Sequence, residues 1–169
     1  MRGVAPGSRG RWQESPALVV SGAFYFLTGA CTLQPTVRDL VFFYGTLMAG
    51  FDRRHRAGID SKLTYIARGW IRASLFDLGI YPAAVPAPDG LVWGELYDAV
   101  DPAAVLAALD EIEGYRPDDQ DRSLYVRNRA TVTLPDGRHE SAWVYFYNAP
   151  LGRAQQIDSG DYLKHVKVR

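Results

Sequence analysis

The clearest periodicity in the chain lies at residues 101–115, DPAAVLAALDEIEGY. At about 100° per residue, Val105, Leu106, Leu109 and Ile112 fall within one stripe about 120° wide, the pattern of a helix that faces a core. Both ends are marked. Asp101 suits the N-cap, Pro102 the first helical position, and Gly114 the position just past the end. On the same wheel the acids separate. Glu111 points to water and Asp110 lies just beyond the edge of the stripe. Glu113 falls inside it, between the directions of Leu109 and Leu106, in the last turn, where the helix dipole disfavours a negative charge. Desolvation and the dipole both raise the pKa of such a carboxyl. That is the tuning a general acid/base needs at neutral pH. The ordinary alternative is a frayed helix end from which a long Glu snorkels to water.

The remaining pattern is mostly strand. Residues 40–44 are continuously apolar, as in a buried strand, and the run breaks at Gly45-Thr46-Leu47. A glycine there lets the backbone turn sharply and approach a ligand, and leaves the next N–H groups free to meet an anion or a carbonyl oxygen. A plain turn is the competing reading. Residues 62–67 and 70–78 read as strands joined at Arg68-Gly69. Residues 79–84 read as a turn, in which Tyr81 is extended because Pro82 follows it. Residues 91–100 read as another strand. Residues 116–123 form a charged loop with no apolar anchor, either a lid or a simple surface loop. Residues 124–134 alternate, with Asn128 interrupting the apolar set and suggesting a bulge. Pro135-Asp136-Gly137 is a hairpin turn. Residues 140–147 are apolar on both faces, which suits a central strand or a barrel wall, and Tyr147 at the end is a candidate for more than packing. Residues 159–163 suggest a short terminal helix that packs back on the sheet.

Composition narrows the classes. A chain of 169 residues, 47% hydrophobic and 22% charged, suits one globular domain with a real core. Nineteen basic and nineteen acidic residues leave no net charge, which argues against nucleic acid as the main partner. The charge run Asp52-Arg53-Arg54-His55-Arg56 reads as a solvated face or as an attractor for an acidic substrate. A single cysteine, Cys31, excludes an internal disulfide and a cysteine-based metal site, and a reducing, cytoplasmic setting is the default. His55, His139 and His165 are too scattered to suggest a metal. There is no Walker or dinucleotide loop and no GxSxG. The folded domain is expected over 39–169, after an extension at 1–38. Residues 1–16 read as disordered. The apolar run at 17–33 resembles a signal sequence, is marginal for a membrane span, or reflects a start site called too early.

Three stretches point together. They are Phe42-Phe43-Tyr44-Gly45-Thr46-Leu47, then Gly79-Ile80-Tyr81-Pro82-Ala83, then Leu109-Asp110-Glu111-Ile112-Glu113-Gly114 followed by Leu124-Tyr125-Val126-Arg127. In this order the chain resembles the gamma-glutamylcyclotransferase-like family, which includes gamma-glutamylamine cyclotransferases and AIG2-type proteins. The resemblance covers about residues 40–165. It implies an α+β fold, a small mixed β-barrel with flanking helices. It implies that the loop Tyr44, Gly45, Thr46, Leu47 cradles a gamma-glutamyl group with backbone N–H groups and that Glu113 is the acid/base. Tyr81 and Tyr147 join as expected substrate contacts. The implied reaction releases 5-oxoproline and a free amine or amino acid and needs no cofactor and no metal. The expected partner is a small gamma-glutamyl substrate, without nucleic acid or membrane, and a homodimer is possible. The competing readings are another amide-cleaving or acyl-transfer reaction on this fold, a non-catalytic metabolite pocket, and, resting on 17–33 alone, a membrane-anchored role.

Overall fold

The computed structural model describes residues 38–167. The expectations for the extension, including the run at 17–33 and Cys31, lie outside the described residues. The elements in order are β1 (Leu40–Phe43), α1 (Arg53–Arg56), β2 (Leu63–Ile71), β3 (Ala73–Asp77), β4 (Pro82–Pro86), β5 (Val92–Ala99), α2 (Pro102–Glu113), β6 (Tyr125–Thr133), β7 (His139–Tyr147), β8 (Gln155–Gln156) and α3 (Tyr162–Lys167). Five strands close a barrel in the order β1-β5-β2-β6-β7, and β4-β3-β8 form a second sheet. The barrel is mixed because β1 and β7 meet in parallel, Leu40 opposite Ala142 and Val41 opposite Trp143. The other seams are antiparallel. Among the described residues no helix is long and apolar enough to cross a membrane.

The apolar run expected for a buried strand is β1, and all four of its residues are buried. Strand β7, apolar on both faces, lies between β6 and β1 in the barrel wall. Several strand boundaries differ from the sequence reading. Arg68-Gly69 is not a junction. Strand β2 runs through it, and a Cβ on Gly69 would lie 2.7 Å from the Thr133 carbonyl oxygen. That glycine serves a close approach of β2 to β6. The chain leaves the barrel at Arg72 instead. Residues 82–86 are a strand and not part of a turn. Pro82 is tolerated there because it is the first residue of an edge strand, where a missing N–H costs little. Asn128 marks no bulge, since β6 and β7 pair without a break from Tyr125↔Tyr147 to Thr133↔His139. The register shift lies in β2, between Tyr65 and Ala67.

Two further differences have polar causes. Gly160 has φ of +60°, so α3 begins only at Tyr162, with buried Asp161 accepting the Lys164 N–H. The 116–123 loop is pinned without apolar residues. Buried Ser123 accepts the Arg116 N–H at 2.8 Å, and the Asn148 amide donates to the carbonyls of Gln120 and Ser123. A fastened loop of this kind does not support the lid.

Helix α2 follows its sequence signals closely. The Asp101 carboxylate accepts the Ala104 N–H at 3.2 Å, and Pro102 opens the helix. Gly114 takes the left-handed conformation at φ +63°, and the Tyr115 N–H returns to the Asp110 carbonyl at 2.8 Å. Val105 and Leu109 have no exposed surface, whereas Glu111 is exposed. The apolar stripe thus fixes the rotation of the helix and the direction of its last turn. Leu109→Ala is expected to cost about 2–5 kcal/mol, the usual range for a leucine deleted from a rigid core. Denaturant titration should show a lower midpoint with an unchanged slope.

Candidate active site

The end of β1, the turn that follows it, the start of β4 and the last turn of α2 converge on one cavity. Its empty space is about 380 Å³, open mouth included. Six of the seven expected site residues, Tyr44, Gly45, Thr46, Leu47, Tyr81 and Glu113, line it. Tyr147 does not. Its ring stands edge-on against Tyr125, 5.3 Å between centroids, and Tyr125 is the residue that reaches the cavity. Alternation along β6 had assigned Tyr125 to the polar face.

Glu113 is the chemically distinctive group. It makes no hydrogen bond and no ion pair among the described residues. Burial pushes its pKa up to about 7, with the nearby Arg53 guanidinium pulling the other way. The residue is partly exposed, and it lines the cavity. Its neighbour on the helix has the opposite environment. Asp110 accepts the Tyr145 hydroxyl at 2.6 Å and pairs with Arg127 at 3.2 Å. Arg127 therefore neutralises Asp110, one turn back along the helix, and leaves Glu113 unpaired. Three residues along α2 separate a structural acid from an available one.

The Gly45 turn supplies donors. The N–H groups of Gly45, Thr46 and Leu47 meet no acceptor among the described residues, while Met48 N–H closes the turn on the Gly45 carbonyl at 3.0 Å. Buried Glu95 anchors the far side of the turn. Its carboxylate accepts the Ala49 N–H at 2.7 Å and the Tyr97 hydroxyl at 2.8 Å. Burial and then Glu95 raise the Tyr97 pKa to about 12. Glycine at position 45 is required by space rather than by φ, because a Cβ there would lie 2.7 Å from Pro82 Cγ.

Two buried tyrosines close the walls. The Tyr44 hydroxyl donates to the Tyr145 carbonyl at 2.6 Å, and the Tyr125 hydroxyl donates to the Pro82 carbonyl at 2.9 Å. Burial, reinforced by Glu113, raises the pKa of both, so they stay neutral. Arg53 completes the lining and donates to the Thr46 hydroxyl at 3.0 Å. Tyr125, Tyr145, Pro82 and Arg53 were not singled out as site residues from sequence. Pro82 and Tyr125 lie within the stretches that carry the family resemblance, and the Asp52–Arg56 charge run is a signal for Arg53 that does not say which arginine turns inward.

The sequence model of the family described as gamma-glutamyl cyclotransferase, AIG2-like, matches residues 41–164. The chain belongs to this family. Within it, the chain is 39% identical over 131 residues to the gamma-glutamylcyclotransferase family protein YtfP of Escherichia coli K12, covering 75% of this chain and 98% of that one. It is 29% identical over 126 residues to the putative gamma-glutamylcyclotransferase MJ1514 of Methanocaldococcus jannaschii, covering 73% and 95%. The solution structure of the E. coli ytfP protein superposes with a TM-score of 0.52 at 28% identity, over 75% and 98% of the two chains. The crystal structure of an AIG2-like protein from Mus musculus gives 0.53 at 23% identity, over 67% and 80%, and shares the fold.

The environment of Glu113 has a thermodynamic signature. An unfolded glutamate ionises near pH 4.5, and Glu113 in the fold near 7. Between these values the unfolded chain binds fewer protons, so stability falls as pH rises across the window. The loss, complete above the upper value, is about 3–4 kcal/mol at about 1.4 kcal/mol per pKa unit. Glu113→Gln is expected to melt above the parent protein at about pH 8, the gap shrinking below about pH 5. Melting both proteins across this range checks it. Gly45→Ala should lower stability by about 1–3 kcal/mol, the usual cost of overpacking, because its methyl group must displace the Pro82 ring. A chemical denaturation curve reads this directly.

Proposed function

We propose that this protein cyclises a gamma-glutamyl compound to 5-oxoproline, releasing the amine or amino acid bound to the gamma-carbonyl, with Glu113 as general acid/base. The observation that carries this reading is an unpaired carboxyl, poised near neutrality, on a cavity shared with the free N–H groups of Gly45–Leu47.

The chemistry needs few parts. The substrate's alpha-amine attacks its own gamma-carbonyl carbon, forming the ring C–N bond. The amine proton passes to the Glu113 carboxylate. The original amide C–N bond then breaks, and Glu113 returns the proton to the departing nitrogen, so no proton is gained or lost overall. Amides of the Gly45 turn hold the substrate oxygens and stabilise the charge that grows on the gamma-oxygen. The neutral tyrosine walls keep a flexible glutamyl chain folded, and such positioning contributes up to several kcal/mol. Family membership supports a gamma-glutamyl substrate. The unpaired Glu113 and the open cavity count against a non-catalytic pocket.

The experiment is a screen of gamma-glutamyl amines and dipeptides for 5-oxoproline release. The carboxylate form of Glu113 is the active one, so kcat/KM should climb with pH through about 7. Glu113→Gln should keep the fold and lose at least about a hundredfold in rate, the lower end for acid–base catalysis. Near-normal turnover of a confirmed substrate by this variant would refute the assignment.

A further inference from the structure

Helix α1 carries three arginines, and their surroundings differ. Arg54 pairs with Asp60 at 3.2 Å and lies over the Tyr97 ring, 4.7 Å from its centroid. Arg56 pairs with Asp52. Arg53 has no carboxylate partner among the described residues. Its one hydrogen bond goes to a neutral hydroxyl, that of Thr46, and Arg53 is the cation that lines the cavity. A guanidinium offers five N–H donors in a planar fork suited to a carboxylate, and most of those of Arg53 are unspent.

The charges of the cavity can be matched against a ligand. Glu113 suits one ammonium or amine. The three N–H groups of Gly45, Thr46 and Leu47 suit the oxygens of the glutamyl half, its alpha-carboxylate together with its gamma-carbonyl. Arg53 then remains as a second anion site. A gamma-glutamyl amine carries one ammonium and one carboxylate, so it leaves Arg53 unmatched. A gamma-glutamyl dipeptide carries a further carboxylate, on the amino acid joined to the gamma-carbonyl. We infer that the leaving group is an alpha-amino acid and that Arg53 selects it by pairing with its carboxylate. This rests on the cyclisation reading for the identity of the reaction, but the contact itself is a binding claim. Arg53 is a specificity-determining residue here, and Thr46 orients it.

The test compares gamma-glutamyl-L-alanine with gamma-glutamylethylamide, which differ only by that carboxylate. The protein should prefer the dipeptide in kcat/KM by about 10–100-fold, the scale of one charge-assisted hydrogen-bonded pair. Arg53→Gln should collapse that ratio towards one, whatever it does to the absolute rates. Arg56→Gln, on the same helix but outside the cavity, should leave the ratio intact. A ratio near one in the parent protein overturns the inference. So does an Arg53→Gln variant that depresses both substrates equally, because Arg53 would then act on the glutamyl half or on Glu113. Calorimetric binding of the same two compounds to Glu113→Gln separates the two readings. Preferential binding of the dipeptide, without 5-oxoproline release by the parent protein, would sink the cyclisation and sustain the Arg53 contact. Equal binding of the two would sink the contact alone.

Discussion

A carboxyl largely removed from water with no ion pair against it destabilises the fold that holds it, and the cavity of this protein has such a group, Glu113, in its lining. Glu113 sits in the last turn of a helix, where the dipole adds to the penalty. Packing elsewhere must offset this. The stripe of Val105 and Leu109 is fully buried, the Asp101 cap satisfies the first turn, and the Gly114 conformation ends the helix one residue past the acid. Each of these fixes the direction of the last turn. A helix rotated by one residue would aim a different side chain at the cavity.

The polar groups around the cavity divide into spent and unspent. The Tyr44 and Tyr125 hydroxyls are committed to backbone carbonyls on β7 and β4. Tyr145 and Arg127 are committed to Asp110. Glu95 is committed to Ala49 and Tyr97. These bonds join the barrel to the second sheet and hold the turn after β1. What remains open towards a ligand among the described residues is short: the Glu113 carboxyl, the Arg53 guanidinium, the Tyr81 hydroxyl and the amides of residues 45–47. A site with few free groups against aromatic walls is well suited to sort ligands by charge position.

How much of this was legible in the sequence depends on the range of the interaction. Helix α2 and the burial of Glu113 could be read from periodicity because a helix wheel is local. The Gly45 break could be read because a glycine ending an apolar run is local too. Tyr125 could not. Alternation placed it on the polar side of β6, and only the arrival of β4 beneath it turns that position into an interior wall. Pro82 reads as a turn residue in the sequence because edge strands tolerate proline and the sequence does not reveal which strand is an edge. Gly69 reads as a junction because, in sequence, a glycine at a close approach of two strands looks the same as one in a loop. Tyr147 stood at the right end of the right strand but behind another ring. Arg53 was visible only as one charge in a run. Its inward aim depends on which neighbours Arg54 and Arg56 had already found.

The parallel seam between β1 and β7 bears on how the chain reaches this state. The first strand of the barrel closes on the last, roughly a hundred residues later, so the seam is among the most distant pairings in the fold. Until β7 has emerged from the ribosome, the apolar face of β1 lacks one of its two neighbours. The Tyr44 hydroxyl likewise has no Tyr145 carbonyl to meet. A nascent chain truncated anywhere before residue 142 therefore presents an unpaired hydrophobic edge and an unfinished pocket, the kind of intermediate that chaperones shield. The cavity therefore comes into being only when the last strand of the barrel has taken its place.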